Sequence, residues 1–125
     1  MKLNRLIISE EASQRLVSLR AKTGLIPNLL CRIGFCLSLN DLTIPDPKAY
    51  PQDSKRELNR YTILGEYDDY FVALLKERCA HDGLDLENDL EDQFRAHVNR
   101  GVIQLFQRVK NLSDLDRLVQ EQLRG

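Results

Sequence analysis

Residues 3–39 read LNRLIISEEASQRLVSLRAKTGLIPNLLCRIGFCLSL, and the order of signals in this stretch decides the fold. Leu3–Ile8 is mostly apolar with a β-branched pair, which suits a short strand. Ser9 then offers a hydroxyl to the free N–H groups of a following helix, and Glu10 and Glu11 stand where the helix dipole favours negative charge. Ala12, Leu16 and Leu19 recur at helical spacing as the inward stripe, leaving Arg15, Arg20 and Lys22 to the outer surface and the last turn. Gly24 supplies a left-handed stop, and Pro27 suits the first turn of a second helix running to about Asn40. The stretch is a β-α-α unit.

Its second helix is apolar on almost every side, through Leu29, Leu30, Cys31, Ile33, Phe35, Cys36, Leu37 and Leu39. Such a helix cannot leave a whole face in water, and a chain of 125 residues has only a modest core to surround it. The expected outcome is an oligomer interface formed by Leu29, Leu30, Ile33, Phe35 and Leu37.

Beyond this unit, Pro45, Pro47 and Pro51 exclude a regular helix and make 41–65 a connector, within which Lys55–Leu64 admits either helix or strand. A helix is expected from Glu66 to about Ala80, with Tyr67, Tyr70, Phe71, Leu74 and Leu75 as its apolar face. Asp82 and Gly83 break it. A longer helix follows from about Leu86 to Val109, carried by Leu90, Phe94, Val98, Gly101, Val102, Leu105 and Phe106. Ser113 with Asp116 predicts a capping box for a last helix whose stripe is Leu115, Leu118, Val119 and Leu123. The fold expected is therefore a single domain over 1–125, mainly α. A short N-terminal strand is followed by about five helices in a bundle, divided as a β-α-α unit (1–40), a connector (41–65) and a helical part (66–125).

The chain is 42% apolar and 30% charged, as a globular protein is. Its longest nearly apolar run, Leu29–Leu39, is well short of the roughly 20 residues that span a bilayer, so no membrane association is expected. With no signal-peptide pattern at the N-terminus, a cytoplasmic location and reduced, buried thiols at Cys31, Cys36 and Cys79 are expected. The net charge of −1 hides a polarity. Residues 1–60 carry ten Lys/Arg against six Asp/Glu, whereas 61–125 carry eight against thirteen. Contact with nucleic acid would need a local basic patch in the N-terminal half.

Catalytic equipment is sparse. The glycines do not form a phosphate-binding loop, no serine stands in a nucleophile elbow, and histidine is limited to His81 and His97. No catalytic residue and no cofactor is expected. Cys31 and Cys36, five apart on a helix, point roughly 140° apart and cannot converge on one metal ion. His97, between Phe94 and Gly101 on an apolar face, reads as a hydrogen-bonded core histidine. The acidic series Glu66, Asp68, Asp69, Asp82, Asp85, Glu87, Asp89, Glu91 and Asp92 reads as a solvated face that keeps DNA away and suits a basic protein partner. The positive candidates are Lys2, Arg5, Arg15, Arg20, Lys22, Lys55, Arg56 and Arg60, as contacts to DNA phosphates. The start of the second helix, at 23–28, could add backbone N–H donors.

The β-α-α stretch 3–39 resembles the ribbon-helix-helix pattern of small DNA-binding proteins. In that pattern alternate strand residues, here Leu3, Arg5 and Ile7, enter the major groove. Two of those three are apolar and cannot read base edges, which argues against a base-reading ribbon. A closer resemblance, extending through 60-RYTILGEYDDYFVALLK-76, is to the DndE family of bacterial DNA sulfur modification (phosphorothioation). It is clearest at Thr23–Leu39 and Arg60–Lys76. That resemblance implies a non-catalytic subunit, mostly helical and tetrameric, that binds double-stranded and preferentially nicked DNA and works with the other sulfur-modification subunits. The alternatives are a ribbon-helix-helix transcription regulator and a protein-assembly adaptor.

Overall fold

The structure, a computed structural model, describes residues 1–124, with side chains through Glu121. It is mainly α. Strand β1 (Arg5–Ile7) leads into α1 (Glu10–Thr23) and α2 (Pro27–Leu39), and strand β2 (Glu57–Asn59) precedes α3 (Arg60–Leu64). Helices α4 (Asp68–His81), α5 (Leu90–Arg108) and α6 (Leu112–Arg124) complete the chain.

The opening unit forms as its local signals require. The Ser9 hydroxyl accepts the Ala12 N–H at 3.1 Å, and Gly24 adopts φ 76° while its N–H reaches the Arg20 carbonyl. Pro27 opens α2, behind an extended Ile26 that has no side-chain cap. The strand departs from the ribbon-helix-helix plan. It pairs antiparallel with β2 of the same chain, Leu6 opposite Leu58 and Arg5 opposite Asn59. Leu6 and Leu58 face the core while Arg5, Glu57 and Asn59 face water, so the two-stranded ribbon needs no second copy.

Helix α5 is the axis of the fold, buried along most of its length from Gln93 to Leu105. Helix α2 crosses it where Gly34 meets Gly101. A Cβ on Gly34 would lie 2.7 Å from the Gly101 carbonyl carbon, and one on Gly101 would run into the Gly34 carbonyl. Only glycine permits this approach, and it lets Phe35 sink fully among Phe71, Phe94 and His97. Burying a ring of that size stabilises by about 1.5–3 kcal/mol.

This crossing corrects the reading of α2. Leu30 and Phe35 are fully buried and Leu37 nearly so, all within the chain's own core. Leu29 and Ile33 alone of the five expected interface residues keep partial exposure. Of three smaller differences, the first two share a cause, in that side-chain turns outcompete helical periodicity. Helix α5 starts at Leu90 rather than Leu86, because the Asp85 carboxylate accepts the Glu87 N–H at 2.8 Å and the Asp89 carboxylate accepts the Asp85 N–H at 2.9 Å. Helix α6 is capped by Asn111, whose side chain accepts the Asp114 N–H at 2.9 Å, and not by Ser113. On α4 the inward residues are Leu75 and Cys79, with Tyr67 and Tyr70 turned to water. Leu115 and Leu118 are buried as expected, Val119 is exposed, and the Leu123 side chain lies outside the described residues.

Candidate nucleic-acid interface

The eight candidate basic residues separate into distinct environments. On α1, successive residues turn by about 100°, so Arg15 and Lys22, seven apart, share one edge of the helix. Both reach across to Phe106 on α5, with the Arg15 guanidinium 4.3 Å and the Lys22 ammonium 4.5 Å from the ring centroid. No carboxylate among the described residues lies within 4.0 Å of either charge.

Arg20 falls on the opposite edge of α1 and is exposed. On that side Arg56 donates to the Ser13 hydroxyl at 3.3 Å. Arg56 and Lys55 line a groove of about 600 Å³ together with Glu10, Asp53 and Glu57, so their charge is largely offset. Arg5 is 3.8 Å from Glu57, an exposed pair of little energetic weight. Lys2 lies beside Glu91, which accepts its backbone N–H at 3.1 Å.

Arg60 is not a surface cation. It is 5% exposed, its Nε donates to Asp68 at 3.0 Å, and its Nη1 donates to the Met1 and Leu3 carbonyls. Burial in a satisfied cluster makes it a brace between the N-terminus and α4, and removes it from the set of phosphate ligands.

Four further arginines, none singled out by composition or spacing, serve the same kind of duty. Arg100 is 8% exposed and closes the C-terminal end of α2. It donates to the Ser38 carbonyl and hydroxyl and to the Thr43 carbonyl, each at 2.8 Å. Arg78 donates to the Leu39 and Thr43 carbonyls and pairs with Asp82 at 2.9 Å. Arg95 holds the Tyr50 carbonyl, and Arg32 the Ile63 carbonyl. These guanidinium groups satisfy carbonyls that the end of α2 and the proline-rich connector leave unpaired.

His97 completes the network, its Nδ1 2.8 Å from the Ser38 hydroxyl. It is fully buried and hydrogen-bonded, as expected from sequence. Burial and then the Arg100 charge press its pKa down to about 3. Asp41 is held at about 2, chiefly by the Thr43 backbone N–H and then by its hydroxyl. The sequence signal for this network was faint: Ser38 interrupts an apolar run, and Arg100 adjoins Gly101 on an apolar face.

The part-exposed residues Ile33 and Cys36 of α2, with Leu37, Phe71, Leu118 and Val119, line an apolar cleft of about 360 Å³. Among the described residues no helix is long and apolar enough to cross a membrane, and no three His, Cys, Asp or Glu residues are placed to hold a metal ion.

Comparison with known families matches residues 5–113 to the model of DndE, the DNA sulphur modification protein. The chain belongs to the DndE family. Two solved structures are similar to it. One is DndE from Escherichia coli B7A, involved in DNA phosphorothioation modification, at 27% identity and a TM-score of 0.69 over 84% of this chain and 98% of that one. The other is a glycine-to-lysine mutant of DndE, also involved in DNA phosphorothioation, at 25% identity and a TM-score of 0.65 over 84% and 99%. A search of curated proteins finds no match. Membership of the DndE family gives the chain a role in DNA phosphorothioation. Burial pushes Cys31 up to about 12 and Cys79 up to about 11, and it raises Cys36 as well, so all three are protonated at neutral pH.

Proposed function

We propose that this DndE-family chain is the non-catalytic DNA-binding subunit of the phosphorothioation machinery, gripping the backbone phosphates of double-stranded, nicked DNA as a homo-oligomer alongside the other sulfur-modification subunits. The observation that carries this reading is the Arg15–Lys22 pair. Two cations share one ring, with no carboxylate among the described residues within 4.0 Å to neutralise them. Surface cations elsewhere in the N-terminal half mostly have acidic neighbours. Self-association, of the tetrameric order that the family resemblance implies, is supported by Leu29, Ile33 and the apolar cleft beside them.

The test is a gel shift on intact and nicked duplexes of random sequence across a salt series. Backbone binding gives an affinity that falls with salt at a slope of about −0.9 per phosphate neutralised. Replacing Arg15 and Lys22 together by Gln lowers that slope by about two units per protomer. Tighter binding of the nicked duplex supports the preference for nicks. Absence of binding to any duplex at low salt refutes the DNA-gripping role. A second reading, an assembly adaptor, would then stand on the exposed Tyr67 and Tyr70 beside Glu66 and Asp69, a face suited to a basic partner.

A further inference from the structure

We infer that Phe106 is a positioning residue of the DNA interface, and that Arg15, Lys22 and Phe106 together form a preorganised phosphate site. This inference rests on the DNA-binding reading above and adds a residue from the acidic half of the chain to it.

Arg15 and Lys22 come from one edge of α1, two helical turns and roughly 10 Å apart along its axis. Left to themselves, two like charges on long, flexible side chains would spread apart in water. Here both heads converge on the Phe106 ring, which bounds their separation at about 9 Å. The ring is part-buried and packs on the core, so α5 holds it in place. An aromatic face attracts cations electrostatically without neutralising them. The arrangement therefore holds two full positive charges about one ring at the surface, where a carboxylate would have cancelled them.

Such a site suits a doubly contacted or extended anion. The ligand class that fits a pair of neighbouring, uncancelled cations on a family member of this role is the phosphodiester backbone, with one strand's phosphates meeting the two heads in turn. Preorganisation is the physical gain. Immobilising a rotamer-rich side chain on binding costs about 0.5–1.5 kcal/mol, and the ring has already done much of that for two of them. An apolar but non-aromatic side chain would fill the same space without holding the cations.

The experiment compares duplex affinity and its salt dependence for the wild type, Phe106→Leu and Phe106→Trp. Phe106→Leu keeps both charges, and we expect it to weaken binding roughly five- to thirtyfold at unchanged salt slope, the fold-change of immobilising on binding two side chains that the ring no longer holds. Phe106→Trp restores wild-type affinity, which a loss through misfolding would not allow. A double-mutant comparison isolates the mechanism: in an Arg15→Gln/Lys22→Gln background, Phe106→Leu should change affinity less than twofold. Equal binding by the wild type and Phe106→Leu overturns the inference while leaving the DNA reading intact. So does an undiminished Phe106→Leu effect in the double-Gln background, which would show the ring acting through the fold. No duplex binding by the wild type overturns both.

Discussion

Replacing Gly101 by Ala sets two opposed effects against each other. Alanine stabilises a helix interior by about 0.5–1 kcal/mol over glycine, so by propensity alone Gly101→Ala should raise stability. The added methyl, however, meets the Gly34 carbonyl group and α-carbon, which are backbone atoms of another helix and cannot rotate aside. Restoring ordinary contact requires α2 and α5 to part by more than about an ångström. That movement loosens the packing of Phe35 against Phe94 and His97. Overpacking costs about 1–3 kcal/mol where side chains can adjust and more where they cannot, so the clash wins by about 2–3 kcal/mol. For a domain of this size that lowers Tm by roughly 10 °C, read by circular dichroism on heating and checked by a lower urea midpoint. Gly34→Ala, whose methyl would meet its nearest backbone atom at 2.7 Å, should cost less. Gly24→Ala, with φ 76° and nothing within 4 Å, serves as the control for backbone strain alone and should cost about 1 kcal/mol. A Gly101→Ala protein as stable as the wild type, or more so, would refute the close crossing.

Two further perturbations separate structural charge from functional charge. His97 has a folded pKa of about 3 against an ordinary value of 6.5, so the unfolded chain binds the proton first and stability declines as pH falls from 6.5 towards 3. At pH 5 the loss relative to pH 7.5 is about 2 kcal/mol, and His97→Gln should flatten that part of the urea-stability profile. Asp41 acts in a lower window, its contribution present above 3.8 and lost as pH falls through about 2. Arg60→Gln should lower stability by about 3 kcal/mol by leaving Asp68 without its buried partner, while the DNA salt slope stays at the wild-type value. A reduced slope would return Arg60 to the interface.

What the sequence made legible was what short-range chemistry decides. Ser9, Gly24 and Pro27 act within a few residues of themselves, and α1 begins and ends, and α2 begins, where these residues place them. Strand β2 was ambiguous because three residues, Glu57–Asn59, become a strand only by meeting Arg5–Ile7 some fifty positions earlier. The apolarity of α2 was read correctly, but most of it turns to the chain's own core. Whether such a helix faces a partner or its own core depends on how closely another helix can approach, and that rests on Gly34 and Gly101, 67 positions apart. Charge was the least legible property. Nothing in a count distinguishes Arg60, closed in by Asp68 and two carbonyls, from Arg15, open on a phenyl ring.

That sorting of charge has a consequence for binding. If Arg15, Lys22 and the exposed Arg20 are the cations each protomer can offer, one protomer neutralises about three phosphates, for a salt slope near −2.7. Three such contacts are too few for firm non-specific binding at physiological salt, so affinity has to come from several protomers on one duplex. Binding should then depend on residues that touch no DNA. Ile33→Glu places a charge on the part-exposed edge of α2, at the rim of the apolar cleft, where the fold can tolerate it. The expected outcome is a smaller species in light scattering and a thermal transition within a few degrees of the wild type. Duplex affinity should fall at least tenfold, with the salt slope approaching −2.7. Phe35→Ala, which removes a fully buried ring, should instead cost about 3–5 kcal/mol and lose fold and binding together. An Ile33→Glu protein that becomes smaller yet binds duplex as tightly as the wild type would show that one protomer suffices, and that cations beyond Arg15, Arg20 and Lys22 reach the DNA.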